Sequence, residues 1–419
     1  MVGSRQSIVN AKDGGIFSYV FSSPSNLLQV GFLHNGWDYR GTGQRPKARA
    51  SINLPMLRAA LIGLPATGKT TLFQLMTAVR EAGRAAQGRG EVQIGVSKVP
   101  DPRLDHLSAM FKPKKHTPAT VEFADLAAAG GGAKALVDVV AYKNADALVH
   151  VVRAFADQAV PHVHESIDPA RDAQAMEDEL ILADLGVVER RLERLEKDLK
   201  KSRSGDLEKE RDLLTRCKDA LESGTPLRAL NLAGEDSKRL RGFQLLSAKP
   251  LLLVINLDEA DVSDVGGSVE KAAGKTGLST FLSRAATLAV PVCAKIELEI
   301  AQLDPADAAA FLSDLGLEQS GLNRVIRATY DLLGYMSFFT VGEDECRAWS
   351  IPRGTVAQAA AGEIHSDIQR GFIRAEVTAY DRLVARGSLS ACRDHGEVRL
   401  EGKEYVVADG DIINFRHAT

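Results

Sequence analysis

The sequence is poor in cysteine, in long apolar runs and in excess charge of either sign. Its 4 cysteines, Cys217, Cys293, Cys346 and Cys392, lie far apart and form no CxxC pair. Neither a zinc site nor a disulfide framework is signalled, and reduced thiols in a cytoplasmic protein are expected. No apolar run approaches the roughly 20 residues that cross a bilayer, and the longest, such as Pro250 to Leu257, read as short buried strands, so no membrane partner is expected. Lys and Arg number 52 against 55 Asp and Glu, a net charge of −3, which argues against a polybasic coat or an acidic tail as the main theme. What is present is ordinary globular material. With 45% hydrophobic and 26% charged residues, collagen, whole-chain disorder and a membrane bundle are excluded. A chain of 419 residues has two or three domains as its natural expectation.

Residues 1–55 differ from the rest. They are rich in Gly, Ser and Asn, show no sustained period, and carry Arg5, Lys12, Arg40, Arg45, Lys47 and Arg49 against only Asp13 and Asp38. Ser22 to Asn26 interrupts the apolar stretch that a signal peptide needs. A disordered amino-terminal extension is expected there.

From Met56 the pattern alternates. Strands are expected at Leu57 to Ile62, Val92 to Val99, Thr120 to Ala124, Ala147 to Ala154, Leu251 to Ile255 and Val290 to Ala294, with a helix over Thr70 to Ala82. Strands alternating with helices predict an open parallel α/β sheet, placed at 56–165 and 245–335. An insert at 166–244 interrupts it. Ile181, Leu185, Val188, Leu192, Leu195 and Leu199 follow a heptad seam, Ser202 to Asp206 breaks it, and Leu207, Leu214, Cys217 and Leu221 resume helical spacing. That predicts an antiparallel coiled-coil hairpin, read either as a solvated face or as a docking arm for a large partner. The remainder, 336–419, changes to short strands and turns around a helix at Ala357 to Ile364, a compact α+β module.

Gly63-Leu-Pro-Ala66-Thr67-Gly68-Lys69-Thr70 fits GxxxxGK[ST] without a mismatch, after a predicted strand and before a predicted helix. Successive backbone N–H groups of such a turn, with the following helix N-terminus, hold phosphate. Lys69 reaches the β- and γ-phosphates, and the Thr70 hydroxyl is placed for Mg2+. The nucleotide-binding set is therefore Gly63, Ala66, Thr67, Gly68, Lys69, Thr70 and Thr71, with Lys69 also catalytic. Asp125 closes the strand Val121 to Asp125 and is the second candidate for the metal. Asn256-Leu257-Asp258-Glu259 stands where GTPases carry Asn-Lys-x-Asp. Glu259 suits guanine's paired donors poorly, whereas an Asn amide matches the N6 donor and N7 acceptor of adenine. ATP is expected to compete well with GTP or to win, with Leu257 packed on the base plane and Ala294 in a nearby loop.

These residues carry a resemblance. From Leu57 to Thr419 the chain resembles the YchF subfamily of Obg-like P-loop NTPases, in domain order and in specific stretches. Those stretches are Val99-Pro-Asp-Pro-Arg-Leu-Asp105, Asn256-x-x-Glu259, Pro291 to Glu297, Gly371 to Val377 and Val406 to Ile413. The resemblance implies a P-loop NTPase sheet with an inserted coiled-coil hairpin and a carboxyl-terminal β-grasp, TGS-like domain. It implies Mg2+-dependent hydrolysis of ATP or GTP, and association with the ribosome or rRNA through the TGS-like domain and the hairpin. It also implies that His162 orients the attacking water, with His164 as an equal decoy two residues on. The chain departs from the family pattern in its switches. Arg89 or its neighbours stand where a metal-binding threonine is expected, and Asp125-Leu-Ala-Ala128 replaces Asp-x-x-Gly ahead of a shortened segment with Gly130-Gly131-Gly132. Three readings follow: a slow ATPase/GTPase, a nucleotide-occupied switch with hydrolysis largely lost, and a P-loop kinase of a small substrate, against which the Asn-x-x-Glu and the TGS-like tail argue.

Overall fold

The computed structural model describes residues 57–77, 92–126 and 142–418, apart from 203, 231 and 233. The extension expected over 1–55, Arg89, Ala128 and the Gly130–Gly132 run lie outside the described residues.

The chain enters through β1 (Arg58–Ile62), α1 (Lys69–Thr77), β2 (Val92–Lys98), α2 (Pro102–Phe111), β3 (Lys115–Thr117), β4 (Thr120–Leu126) and β5 (Ala147–Ala154). After the insert come β6 (Leu251–Leu257), α5 (Glu259–Val265), β7 (Thr287–Val292), α6 (Ala294–Ile300) and α7 (Gly321–Leu332), where α3 and α4 belong to the insert described below. The first sheet has six strands in the order β2-β4-β1-β5-β6-β7. β4, β1, β5, β6 and β7 are parallel, but β2 runs antiparallel to β4, which corrects the all-parallel expectation. The physical reason is visible in the sequence of the two kinds of strand. β6 is buried at every position, as an inner parallel strand covered on both faces should be. β2 alternates exposed Val92, Ile94 and Val96 with buried positions, the pattern of an edge. β7 lies at Thr287–Val292, so the expected strand over Val290 to Ala294 was set too late: Cys293 caps α6, and Ala294 is its first residue.

The insert is a helical hairpin. α3 (Pro169–Lys201) starts at Asp168, whose side chain accepts from the Arg171 N–H, with Pro169 in the first turn. α4 (Gly205–Glu222) returns antiparallel, and Ile181, Val188, Leu195, Leu213, Leu214, Cys217 and Leu221 form their shared seam. At its root three buried acids of α3 hold other segments. Glu177 meets Arg228 at 2.6 Å, and Asp184 accepts from the backbone of Leu246 and Ser247 at 2.8 and 2.7 Å. Asp172 belongs to the site described below.

The second sheet, with β8 (Tyr335–Thr340), β9 (Glu345–Pro352), β10 (Phe372–Ala379), β11 (Arg399–Glu401) and β12 (Asp411–His417), has the order β11-β10-β12-β8-β9-β3. Helix α8 (Ala357–Ile364) packs on one face against Phe338, Val377 and Phe415. Among the described residues Val406 makes an isolated antiparallel bridge to Val356. β3 comes from the first part of the chain: Lys115, His116 and Thr117 pair in parallel with Glu345, Cys346 and Arg347. Arg103 adds a charged clamp. It donates to Asp101 and, at 3.1 Å, to Asp409, and lies over the Phe339 ring. One apolar core accordingly runs from Phe73 and Phe123 through Tyr330 to Phe339 and Ile412.

Candidate functional site

β1 ends at Ile62, and the chain must turn tightly to start α1 at Lys69. Gly63 and Gly68 take φ values of +140° and +92°. A Cβ on Gly63 would lie 2.5 Å from the Val151 carbonyl, and one on Gly68 2.6 Å from Asn256 Nδ2, so only glycine fits either place. Ala66 adopts φ +62° at the exposed crest. Thr67 is buried, its hydroxyl donating to the Leu64 carbonyl at 3.1 Å. Thr71 sits half-buried in the first turn of α1.

Lys69 curls back over this turn, donating from Nζ to the carbonyls of Gly63 at 2.8 Å and Leu64 at 2.5 Å. Burial lowers its pKa from the ordinary 10.5 to about 8, with Asp125 opposing the shift. A desolvated ammonium above a glycine turn is a cation short of counter-charge, which a polyphosphate supplies. The residues present therefore fit a nucleotide phosphate. His150, packed behind Gly63, is held neutral by burial and by Lys69, its pKa lowered to about 3. The Thr70 hydroxyl donates to Asp125 Oδ2 at 3.1 Å, and Asp125 is buried at the end of β4. A hydroxyl and a carboxylate side by side suit Mg2+, which takes one or two protein oxygens and leaves the rest of its shell to phosphate and water. Among the described residues no group of three or more His, Cys, Asp or Glu gathers to hold a metal without such help.

The Lys69 value has a testable consequence. Only the ammonium attracts phosphate, so ATP affinity should fall as pH rises through about 8, while bound phosphate raises the Lys69 pKa and draws in a proton. Calorimetric titration near pH 8 in buffers of different ionisation enthalpy should record net proton uptake, roughly half a proton by simple titration.

Asn256 ties two segments of the chain together. Its Nδ2 donates to the Thr67 carbonyl at 3.0 Å, and its Oδ1 accepts from the Ala294 N–H at 3.0 Å. It joins the phosphate turn to the start of α6. Leu257 points away from it, 3% exposed in the opposite core cluster, because successive strand residues alternate faces. The expectation that Leu257 packs on the base plane is corrected: that side chain is committed to the core. Glu259 opens α5 and pairs with Lys295.

The polar contacts of His162 are to its own loop and to α3. Its Nδ1 accepts from the His164 N–H at 3.1 Å, and its Nε2 lies 2.8 Å from Asp172 Oδ2, both side chains 3% exposed. Arg171 also donates to Asp172 Oδ1 and ties down Ser166. Arg153, fully buried, donates to the carbonyls of Phe155 and Val160 and so shapes the same loop. Sequence reasoning singled out none of Asp172, Arg171 and Arg153. The available signal was weak, an acid in the first turn of a helix, which ordinarily answers only to the helix dipole.

Comparison with known proteins decides the family. Residues 335–418 match the model YchF-GTPase_C, described as "Protein of unknown function (DUF933)". The chain is 41% identical to the "Ribosome-binding ATPase YchF" of Bacillus subtilis, over 86% of this chain and 99% of that protein. It belongs to the YchF family. The protein of the same name from Escherichia coli O157:H7 is 37% identical over 85% of this chain and 98% of its own length. The "Structure of the Schizosaccharomyces pombe YchF GTPase" is similar with a TM-score of 0.72 and 27% identity, covering 86% of this chain and 97% of that one. The YchF likeness spans the phosphate turn, the hairpin and the second sheet together, so the α/β fold class with its inserted hairpin agrees with the sequence expectation. No helix among the described residues is long and apolar enough to cross a membrane.

Proposed function

We propose that this YchF protein is a Mg2+-dependent nucleotide-binding hydrolase, an ATPase/GTPase, that associates with ribosomes. The observation that carries the reading is the partly buried Lys69 ammonium on the Gly63 and Leu64 carbonyls, in the phosphate turn of a family whose relatives are named ribosome-binding ATPases. Gly63, Ala66, Thr67, Gly68, Lys69, Thr70 and Thr71 cradle the phosphates, and Thr70 with Asp125 would hold Mg2+. The metal would supply charge neutralisation between the β- and γ-phosphates. Lys69 then balances the charge that gathers on the transferred group, and His162 orients the attacking water. The hairpin and the TGS-like sheet are the ribosome-facing surfaces.

ATP is the preferred nucleotide. Glu259 is drawn to Lys295 and leaves guanine's two donors without their usual short acid. The Asn256 amide, fixed at both ends, keeps one hydrogen and one lone pair for the base. Glu259→Asp is expected to shift the ATP/GTP affinity ratio toward GTP by about 1 kcal/mol, read by competition binding. Pairing it with Leu257→Lys is unsuitable, since that position is core.

A second reading, a nucleotide switch with little hydrolysis, is favoured by one observation: His162 Nδ1 accepts from the His164 N–H and its Nε2 faces Asp172, so neither ring nitrogen's contact is with a group of the phosphate turn. Single-turnover hydrolysis of ATP and GTP, with and without ribosomes, separates the two. Measurable turnover that ribosomes change supports the hydrolase, and none under either condition supports the switch. In the hydrolase, His162→Ala should lower turnover and leave ATP affinity nearly unchanged.

A further inference from the structure

We propose that Asp172, at the root of the hairpin, is a positioning residue that stows His162 away from the nucleotide and releases it when the hairpin is displaced. The proposal rests on the reading of His162 as the group that orients water.

The geometry is specific. The His164 N–H occupies the Nδ1 lone pair, which in the neutral ring leaves the proton on Nε2, facing Asp172 Oδ2 at 2.8 Å. With Nδ1 accepting and Nε2 carrying its proton against a carboxylate, the ring has no lone pair to offer a water. It must leave Asp172 before it can act. The contact is close but poorly aligned, since neither Nε2 nor Asp172 Oδ2 finds a hydrogen-bond partner of good angle. A misaligned contact is weaker than a straight one, which suits a hold that opens.

Asp172 cannot drift independently of the hairpin. It sits in the first turn of α3, fixed by Arg171, which also grips Ser166 of the same loop. Further along α3, Glu177 and Asp184 are buried and tied to Arg228, Leu246 and Ser247. The root of α3 is thus one braced piece. A partner that grips the hairpin and tilts α3 carries the Asp172 carboxylate and Ser166, which Arg171 holds, away from the earlier part of the loop, Phe155 to Val160, which Arg153 anchors to β5 beside His162. Loss of that contact frees the ring, and docking is read as faster hydrolysis.

The test is a cycle of single-turnover ATP hydrolysis in the full chain, without ribosomes, for the wild type, Asp172→Asn, His162→Ala and the double variant. Nitrogen-15 NMR of the histidine rings accompanies it. Asp172→Asn removes the charge while keeping an oxygen for Arg171. It should raise the maximal rate about fivefold with ATP affinity unchanged, as loss of a weak charge-assisted contact would. The rise should vanish when His162 is Ala. The His162 ring signal should change from one fixed Nε2-protonated form to a mixture. A merely structural role for Asp172 would lower stability and rate together and would not depend on His162. The NMR of the wild type tests the held tautomer even if Asp172→Asn folds poorly, and a wild-type ring without the Nε2-protonated form overturns the proposal. A slow His162→Ala with no gain in Asp172→Asn overturns the stowing role alone. A His162→Ala variant with wild-type turnover overturns the catalytic reading of His162 and the proposal with it.

Discussion

Replacing Lys69 by Ala should weaken ATP binding by about 1.5–3 kcal/mol, the range of a charge-assisted hydrogen bond, or roughly ten- to a hundredfold in affinity. The structure says why the loss should fall on binding and not on folding. In the free protein the Lys69 ammonium is desolvated and held by two carbonyl oxygens, Gly63 and Leu64, with burial lowering its pKa to about 8. Its charge is a burden on the nucleotide-free state and an asset only when phosphate arrives. Lys69→Met, which keeps the aliphatic stem, should therefore leave the melting temperature of the nucleotide-free protein close to wild type while affinity drops as in Lys69→Ala. Isothermal calorimetry for ATP, beside thermal melts without nucleotide, checks both halves. Equal ATP affinity in wild type and Lys69→Ala would remove the phosphate turn from the nucleotide site.

The parts of this molecule that were legible in the sequence are those whose cause is local. The phosphate turn is a contiguous run, and the positive φ of Gly63 and Gly68 is a local demand, although the close approaches that leave no room for a Cβ come from Val151 and Asn256 far along the chain. The hairpin seam repeats over α3 and α4, so Ile181, Val188, Leu195 and Cys217 announce their shared face. β6 is apolar without interruption because both of its faces are covered. What escaped depends on residues far apart in the chain. β3 has three residues and no pattern of its own; it exists because Lys115 to Thr117 find β9 some 230 positions away. The direction of β2 is likewise set by its partner β4, not by its own alternation. At the site, Asn256 could be placed near the base by motif, but its two bonds to Thr67 and Ala294 require the fold. His162 could be named by resemblance, yet its engagement by Asp172 could not, since an acid in a helix's first turn already has a sufficient local reason to be there.

The largest effect on stability should come from Arg228→Ala. Arg228 and Glu177 meet at 2.6 Å with each side chain 1% exposed, and Arg228 also donates to Thr287 on β7. Removing the guanidinium strands a carboxylate in the interior, for which a cost of about 3–5 kcal/mol is typical. Arg284 Nη1 is 3.9 Å from Glu177, too far for a hydrogen bond, and stacks on Phe281, so it replaces little of the lost contact. The midpoint of urea unfolding should fall accordingly. The companion variant carries the argument further. Replacing both partners with apolar residues, Glu177→Leu with Arg228→Met, removes the buried charges together and should recover most of that loss, because desolvation of an ion pair largely offsets its attraction. If the double variant is as stable as wild type, the pair is not what holds the hairpin root in the fold. Its part is then to fix the register of α3 against the segment around Ser247, where Asp184 accepts three further hydrogen bonds from Leu246 and Ser247. If instead the double variant stays as weak as Arg228→Ala alone, the bond to Thr287 is what matters, since that contact is lost in both.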